Sequence, residues 1–188
     1  IYEALLIPGE AWELVWESDE AGAGSAGDPL AAADREGRLW LTDPATGRIL
    51  RQHDDGSSET IAEETGRITA IAMGPDGHLY ASQPDQQRIV AYGADGSQRT
   101  VTEGITAHAL TLTAAGLIIG TDPAQGIISV VHPDGTRRDY RGDGLREPAT
   151  LALSPDQVFL AVLDRTGVWG WSLHLTLEGE LHDGQPFY

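Results

Sequence analysis

The chain repeats itself about every forty residues, and three separate series of markers share this period. One series consists of tight turns, at Asp55-Gly56, Asp95-Gly96, Asp134-Gly135 and Glu178-Gly179, spaced 40, 39 and 44 residues apart. A second series is Gly37, Gly77, Gly116 and Gln157. The third is Asp43-Pro44, Gln83-Pro84, Asp122-Pro123 and Asp164-Arg165. Three series with one period predict a repeat architecture in which each unit is built alike.

The segments inside each unit are short, rich in β-forming residues and bounded by turn residues. Typical examples are Arg38–Thr42 and Arg48–Arg51 in the first unit, and His78–Ser82 and Arg88–Tyr92 in the second. Such segments are too short for helices and are interrupted too often by Gly and Pro. A period near forty with about four strands is typical of a β-propeller blade, whereas a β-sandwich does not require this regular spacing.

The sequence therefore predicts an all-β propeller domain over residues 1–188, with about four blades. The predicted blades cover about 28–66, 67–104, 105–144 and 145–184, and a strand at 10–17 precedes them.

Composition limits the partners of the chain. Its 29 acidic residues outnumber 12 basic ones, all of them Arg, and the net charge is −17. Nucleic acid is excluded as a partner because binding phosphates requires clustered basic residues. Direct membrane insertion is not expected either, since no apolar run reaches the length of a membrane span. Cys is absent, which removes thiolate chemistry but leaves the compartment undetermined, and Asn is absent as well.

Several stretches resemble the gluconolactonase and regucalcin family of sugar-lactone hydrolases. These are Leu6-Ile-Pro-Gly-Glu-Ala-Trp-Glu-Leu-Val15, Gly74-Pro-Asp-Gly-His-Leu-Tyr-Ala-Ser82, Leu151-Ala-Leu-Ser-Pro-Asp-Gln157 and Asp183-Gly-Gln-Pro-Phe-Tyr188. The resemblance implies a six-bladed propeller with one divalent metal, Ca²⁺ or Zn²⁺, at the top of the central channel. The family holds this metal with a Glu, with Asn side chains and with an Asp, which are hard oxygen ligands that activate water at a lactone carbonyl.

Most of the ligand positions that the resemblance implies are changed in this chain. Pro29 replaces the acidic residue of the first blade, although Asp28 or Glu20 would substitute if the loop shifted. The Asn positions of the later blades read Thr69, His108-Ala109 and Pro148-Ala149-Thr150. The resemblance keeps one ligand, Asp164, which would also be the catalytic base if the protein were active, and His108 is the other candidate metal ligand.

We therefore expect a lactonase-like propeller that has lost metal-dependent hydrolysis, needs no cofactor and works as a protein-binding or structural subunit. The alternative is an active sugar-lactone hydrolase with rearranged ligands on Asp164 and His108. Four blades are two fewer than the family has, and the competing explanations are a shortened chain, closure of four blades by themselves, or a covered flank. We expect another protein chain or a second copy to cover the open flank, because exposed flanks favour aggregation.

Overall fold

The computed structural model describes residues 29–53, 55–142, 144–167 and 170–187. The predicted strand at 10–17 lies outside these residues. The described chain forms four antiparallel sheets of four strands each, and in every sheet the strands are neighbours in chain order. This arrangement confirms the predicted all-β propeller class.

Each sheet is one blade. Blade 1 contains β1 (Ala31–Ala33), β2 (Leu39–Asp43), β3 (Arg48–Gln52) and β4 (Ser58–Ala62). Blade 2 contains β5 (Ala70–Met73), β6 (Leu79–Gln83), β7 (Arg88–Tyr92) and β8 (Gln98–Glu103). Blade 3 contains β9 (Ala109–Leu112), β10 (Ile118–Asp122), β11 (Ile127–Val131) and β12 (Arg137–Tyr140). Blade 4 contains β13 (Pro148–Leu153), β14 (Phe159–Asp164), β15 (Gly170–Leu175) and β16 (Leu181–Phe187). The last strand thus extends beyond residue 184, where the sequence placed the end of the fourth blade.

The first strands of neighbouring blades contact one another, from β1 to β5, from β5 to β9 and from β9 to β13. They form the inner edge of the propeller, and the fourth strand of each blade lies at its outer edge. The apolar core lies between successive blades. Trp40 and Ile49 pack on blade 2, Tyr80 and Ile89 pack on blade 3, and Ile128 packs on blade 4.

The repeated glycines mark turns that need a left-handed backbone. Gly77 and Gly116 connect the first and second strands of their blades with φ near +80°, where a side chain would be strained. Blade 4 has Gln157 at this position, and its φ is 61°. The Oε1 atom of Gln157 accepts a hydrogen bond from the backbone N–H of Ala114 in blade 3, at 2.8 Å. This contact between two blades offsets the cost of the strained backbone.

No helix in the described part of the chain is long and apolar enough to cross a membrane.

Candidate functional site

Asp164 is the last residue of β14, and both oxygens of its carboxylate accept hydrogen bonds from the surrounding loops. Oδ2 accepts hydrogen bonds from the backbone N–H groups of Arg146, at 2.5 Å, and Glu147, at 3.3 Å. Oδ1 accepts from the N–H of Thr166, at 2.8 Å, and from its hydroxyl, at 2.7 Å. The side chain therefore links the loop before β13 to the loop after β14, which is a structural role.

The electrostatics of Asp164 agree with this arrangement. Burial favours the neutral acid, but the hydrogen bonds from Arg146, Thr166 and Glu147 outweigh it and hold the pKa of Asp164 below its ordinary value. The carboxylate is therefore ionised at neutral pH. A carboxylate that is this well solvated by N–H and O–H donors is a weak general base.

Equivalent aspartates in blades 1 and 3 hold the loops that follow their own strands. Asp43 ends β2 and accepts hydrogen bonds from the N–H of Ala45, at 3.1 Å, and the hydroxyl of Thr46, at 2.6 Å. Asp122 ends β10 and accepts from the N–H of Gln125, at 3.0 Å. Asp164 thus belongs to the repeat, and the marker series in the sequence already contained this signal.

His108 lies on the loop before β9 and is exposed. Its Nε2 atom is 2.9 Å from a terminal nitrogen of Arg165, the residue that follows Asp164. Since a guanidinium group only donates, Nε2 is the acceptor and its lone pair is engaged. The structure therefore brings His108 near the Asp164 loop, but the ring contacts the guanidinium group of Arg165 and not the Asp164 carboxylate.

The remaining positions implied by the resemblance carry few donors. Thr69 donates its hydroxyl hydrogen to the backbone carbonyl of Ala107, at 2.8 Å. Pro148 and Ala149 have no side-chain ligand atom, and Asp28 and Glu20 lie outside the described residues. Within 29–53, 55–142, 144–167 and 170–187, no three His, Cys, Asp or Glu residues are grouped to hold a metal ion. The described donor set does not fit the divalent metal that the resemblance implies, and the roles of Asp164 and His108 as ligands stay predictions.

A cavity of about 490 Å³ lies at the other end of the strands, where the first turns of the four blades meet. Asp34, Arg38 and Trp40 are among the residues that line it. The carboxylate of Asp34 accepts hydrogen bonds from the side chains of Arg38, at 2.8 Å, and Trp40, at 3.2 Å. These groups satisfy one another, so the cavity presents no free nucleophile or base from this cluster.

Sequence reasoning missed the exposed apolar side chains of blade 4. Phe159 is 48% exposed, Leu163 57% and Phe187 40%, and all three lie on the face of the blade that points away from blade 3. On the face of blade 1 that points away from blade 2, by contrast, Leu41 and Leu50 are both only 7% exposed. Strand alternation predicts which side chains share a face, but it does not tell whether that face is covered.

No protein-family model matches the chain, and no curated protein matches it in sequence. Solved structures do match. A gluconolactonase from Xanthomonas campestris is 22% identical with a TM-score of 0.70, and virginiamycin B lyase from Staphylococcus aureus is 18% identical with a TM-score of 0.68. A protein of the nidogen/laminin complex is 20% identical with a TM-score of 0.69. Each match covers 84% of this chain.

The chain spans only part of these structures, namely 61% of the gluconolactonase, 54% of the lyase and 63% of the protein of the nidogen/laminin complex. At these identities the likeness concerns the fold and does not extend to activity or substrate. The chain therefore has the β-propeller fold of the gluconolactonase and virginiamycin B lyase structures, with four blades described.

Proposed function

We propose that this chain is a lactonase-like propeller that no longer hydrolyses lactones and serves as a protein-binding or structural subunit. The observation that carries the proposal is the state of the Asp164 carboxylate, which accepts four hydrogen bonds from Arg146, Glu147 and Thr166. To bind a metal or a water nucleophile, Asp164 would have to release these donors. Each hydrogen bond to a charged group contributes about 1.5–3 kcal/mol, so this release is costly.

The second support is the chemistry of the neighbouring positions. Ca²⁺ takes six to eight oxygen ligands, and catalytic Zn²⁺ takes three protein ligands. His108 offers a single ring nitrogen that already accepts from Arg165, and the Thr69 hydroxyl is bonded to Ala107. These groups do not add up to either coordination shell.

A binding role is supported by the surface of blade 4. Phe159, Leu163 and Phe187 place three large apolar side chains on one exposed face. Large exposed apolar patches on a protein surface mark contact sites. A propeller offers a rigid frame for such a surface, because each blade is held by its neighbours.

The proposal is tested by measuring lactone opening with a pH indicator, using glucono-δ-lactone and the full chain with added Ca²⁺, Zn²⁺ or Mn²⁺. We expect the rate to equal that of buffer with the same metal. Asp164→Asn serves as the matched variant, with Asp156→Asn, an exposed turn residue, as its control. Hydrolysis that needs a metal and is lost only in Asp164→Asn would establish the active hydrolase instead.

A further inference from the structure

Blades 1 to 3 share a set of side chains on the face that receives the following blade. The next-to-last residue of the second strand carries a buried hydroxyl group. It is Thr42 in β2, Ser82 in β6 and Thr121 in β10. Across from it in the third strand lies an isoleucine with 0% exposure in every case. These isoleucines are Ile49, Ile89 and Ile128.

In two of these blades the hydroxyl group contacts the next blade or the segment that leads into it. Ser82 Oγ accepts a hydrogen bond from the N–H of Ala107, just before β9, at 3.0 Å. Thr121 Oγ1 donates to the carbonyl of Ala149, in β13, at 3.0 Å. The shared set therefore combines an apolar contact with a polar link, and it marks a face that is built to receive a blade.

Blade 4 lacks this set on the face that points away from blade 3, which we call its free face. Leu163 occupies the hydroxyl position, and Gly170 lies opposite it where the other blades have isoleucine. Two residues earlier on the second strand, Ala161 replaces the large Trp40, Tyr80 and Ile119 of blades 1, 2 and 3. A further blade docked here in the usual way would find neither the hydroxyl link nor the isoleucine, so this face favours another kind of partner.

The free face has projecting side chains beside a hollow. Phe187 lies over Gly170, where a Cβ atom would come within 2.9 Å of its ring. Phe159 projects at the other end, and a hollow of about 310 Å³ beside it is also lined by Ser172 and His174. Projections and a hollow on one face are complementary to themselves under two-fold symmetry, since each copy can fill the hollow of the other.

Charge supports the same arrangement. The chain carries a net charge of −17, yet among the described residues that line the hollow Asp183 is the only acidic one and none is Arg. Two copies can therefore meet on this face while burying few carboxylates, which are costly to desolvate. The remaining acidic surface repels at a distance, and salt screens that repulsion.

The area of the face limits how much surface the contact can bury. The four strands of blade 4 have six or seven residues each, and at ~4.8 Å between strands and ~3.3 Å per residue they cover roughly 400 Å². A stable interface buries about 800 Å² on each partner. A contact of this size produces a weak, reversible dimer.

We propose that two copies of this chain associate through the free face of blade 4, with Phe159 and Leu163 of each copy entering the hollow of the other. The inference rests on the proposed function, because it names the surface and the partner of the binding module. Its failure is separable from the failure of that function, since association is read by sedimentation and hydrolysis by lactone opening.

The test is sedimentation equilibrium of the full chain from about 1 µM to about 500 µM, a range that spans weak affinities. We expect a monomer–dimer equilibrium that shifts toward dimer when NaCl rises from about 0.02 M to about 0.5 M, since screening removes the repulsion. Leu163→Thr restores the hydroxyl group of the other blades and should weaken the dimer at least about tenfold. Leu177→Thr is the matched control, because Leu177 is 89% exposed in a turn outside this face, and it should leave the dimer unchanged.

Cross-linking supplies a second measurement, because the chain contains no Cys. Ala161→Cys introduces one thiol at the centre of the face and should form disulfide-linked dimers on mild oxidation. Ala124→Cys, on an exposed turn of blade 3, should not. A monomer at every concentration and salt, a dimer insensitive to Leu163→Thr, or open assemblies that grow with concentration would each overturn the proposal.

Discussion

Thr121 of blade 3 donates its hydroxyl hydrogen to the backbone carbonyl of Ala149 in blade 4, at 3.0 Å. The same oxygen accepts a hydrogen bond from the N–H of Ala109, at 3.1 Å. Thr121 is fully buried, so water cannot replace it. One side chain thus satisfies a donor and an acceptor at the junction of two blades.

Replacing Thr121 with valine keeps the volume and removes both hydrogen bonds. We expect Thr121→Val to lower the free energy of unfolding by about 1–3 kcal/mol, because a partly buried carbonyl and N–H lose their partner. Urea denaturation of the full chain measures this change. Thr121→Ser keeps the hydroxyl group and should cost less. Equal stability of Thr121→Val and the parent would contradict the linking role.

Asp164 predicts how stability depends on pH. Its pKa is lowered in the folded state, so its contribution to stability is complete above the unfolded value, about 3.9, and is lost as pH falls through the lower folded value. We expect Asp164→Asn to destabilise the protein at pH 7, since an amide group cannot accept from Arg146, Glu147 and Thr166 together.

The same substitution should flatten the loss of stability in acid. Denaturation at several pH values below about 5 measures this slope. Asp122 has a lowered pKa as well, so part of the acid sensitivity remains in the variant. A slope that Asp164→Asn leaves unchanged would show that its carboxylate is not held as described.

Two substitutions of Gln157 separate the energetic cost of backbone strain from the contribution of a contact between blades. It adopts φ 61°, where glycine is favoured, and accepts a hydrogen bond from the N–H of Ala114. Gln157→Ala keeps the strain and loses the bond, so it should cost about 1 kcal/mol. Gln157→Gly loses the bond but relieves about as much strain, and we expect a change near zero. Equal costs in thermal or urea unfolding would mean that the backbone conformation carries no strain here.

The fold was predictable because each repeat has turn residues at the same positions in the sequence. Gly77, Gly116 and the glycines of the Asp-Gly pairs occupy positions where φ is positive, so local chemistry alone identifies them. The role of Asp164 was harder to see. Its residue type matched a metal ligand in the resemblance, whereas its place in the repeat matched Asp43 and Asp122, whose loops it resembles.

The free face of blade 4 was not predictable from local pattern. Leu163 lies on a strand with ordinary alternation, and nothing near it in sequence tells whether a neighbour covers it. The comparison with Thr42, Ser82 and Thr121 requires the register of all four blades, which only the paired strands provide. Whether a sheet face is covered by a neighbour is therefore visible only from the tertiary contacts.

Calorimetric titration of the full chain with Ca²⁺, Zn²⁺ and Mn²⁺ measures directly whether Asp164 and His108 hold a metal ion. We expect no stoichiometric binding to the parent protein, and the same weak heats for Asp164→Asn, because the Asp164 oxygens and the His108 lone pair already have partners. One metal bound per chain, with binding lost in Asp164→Asn and weakened in His108→Ala, would contradict it.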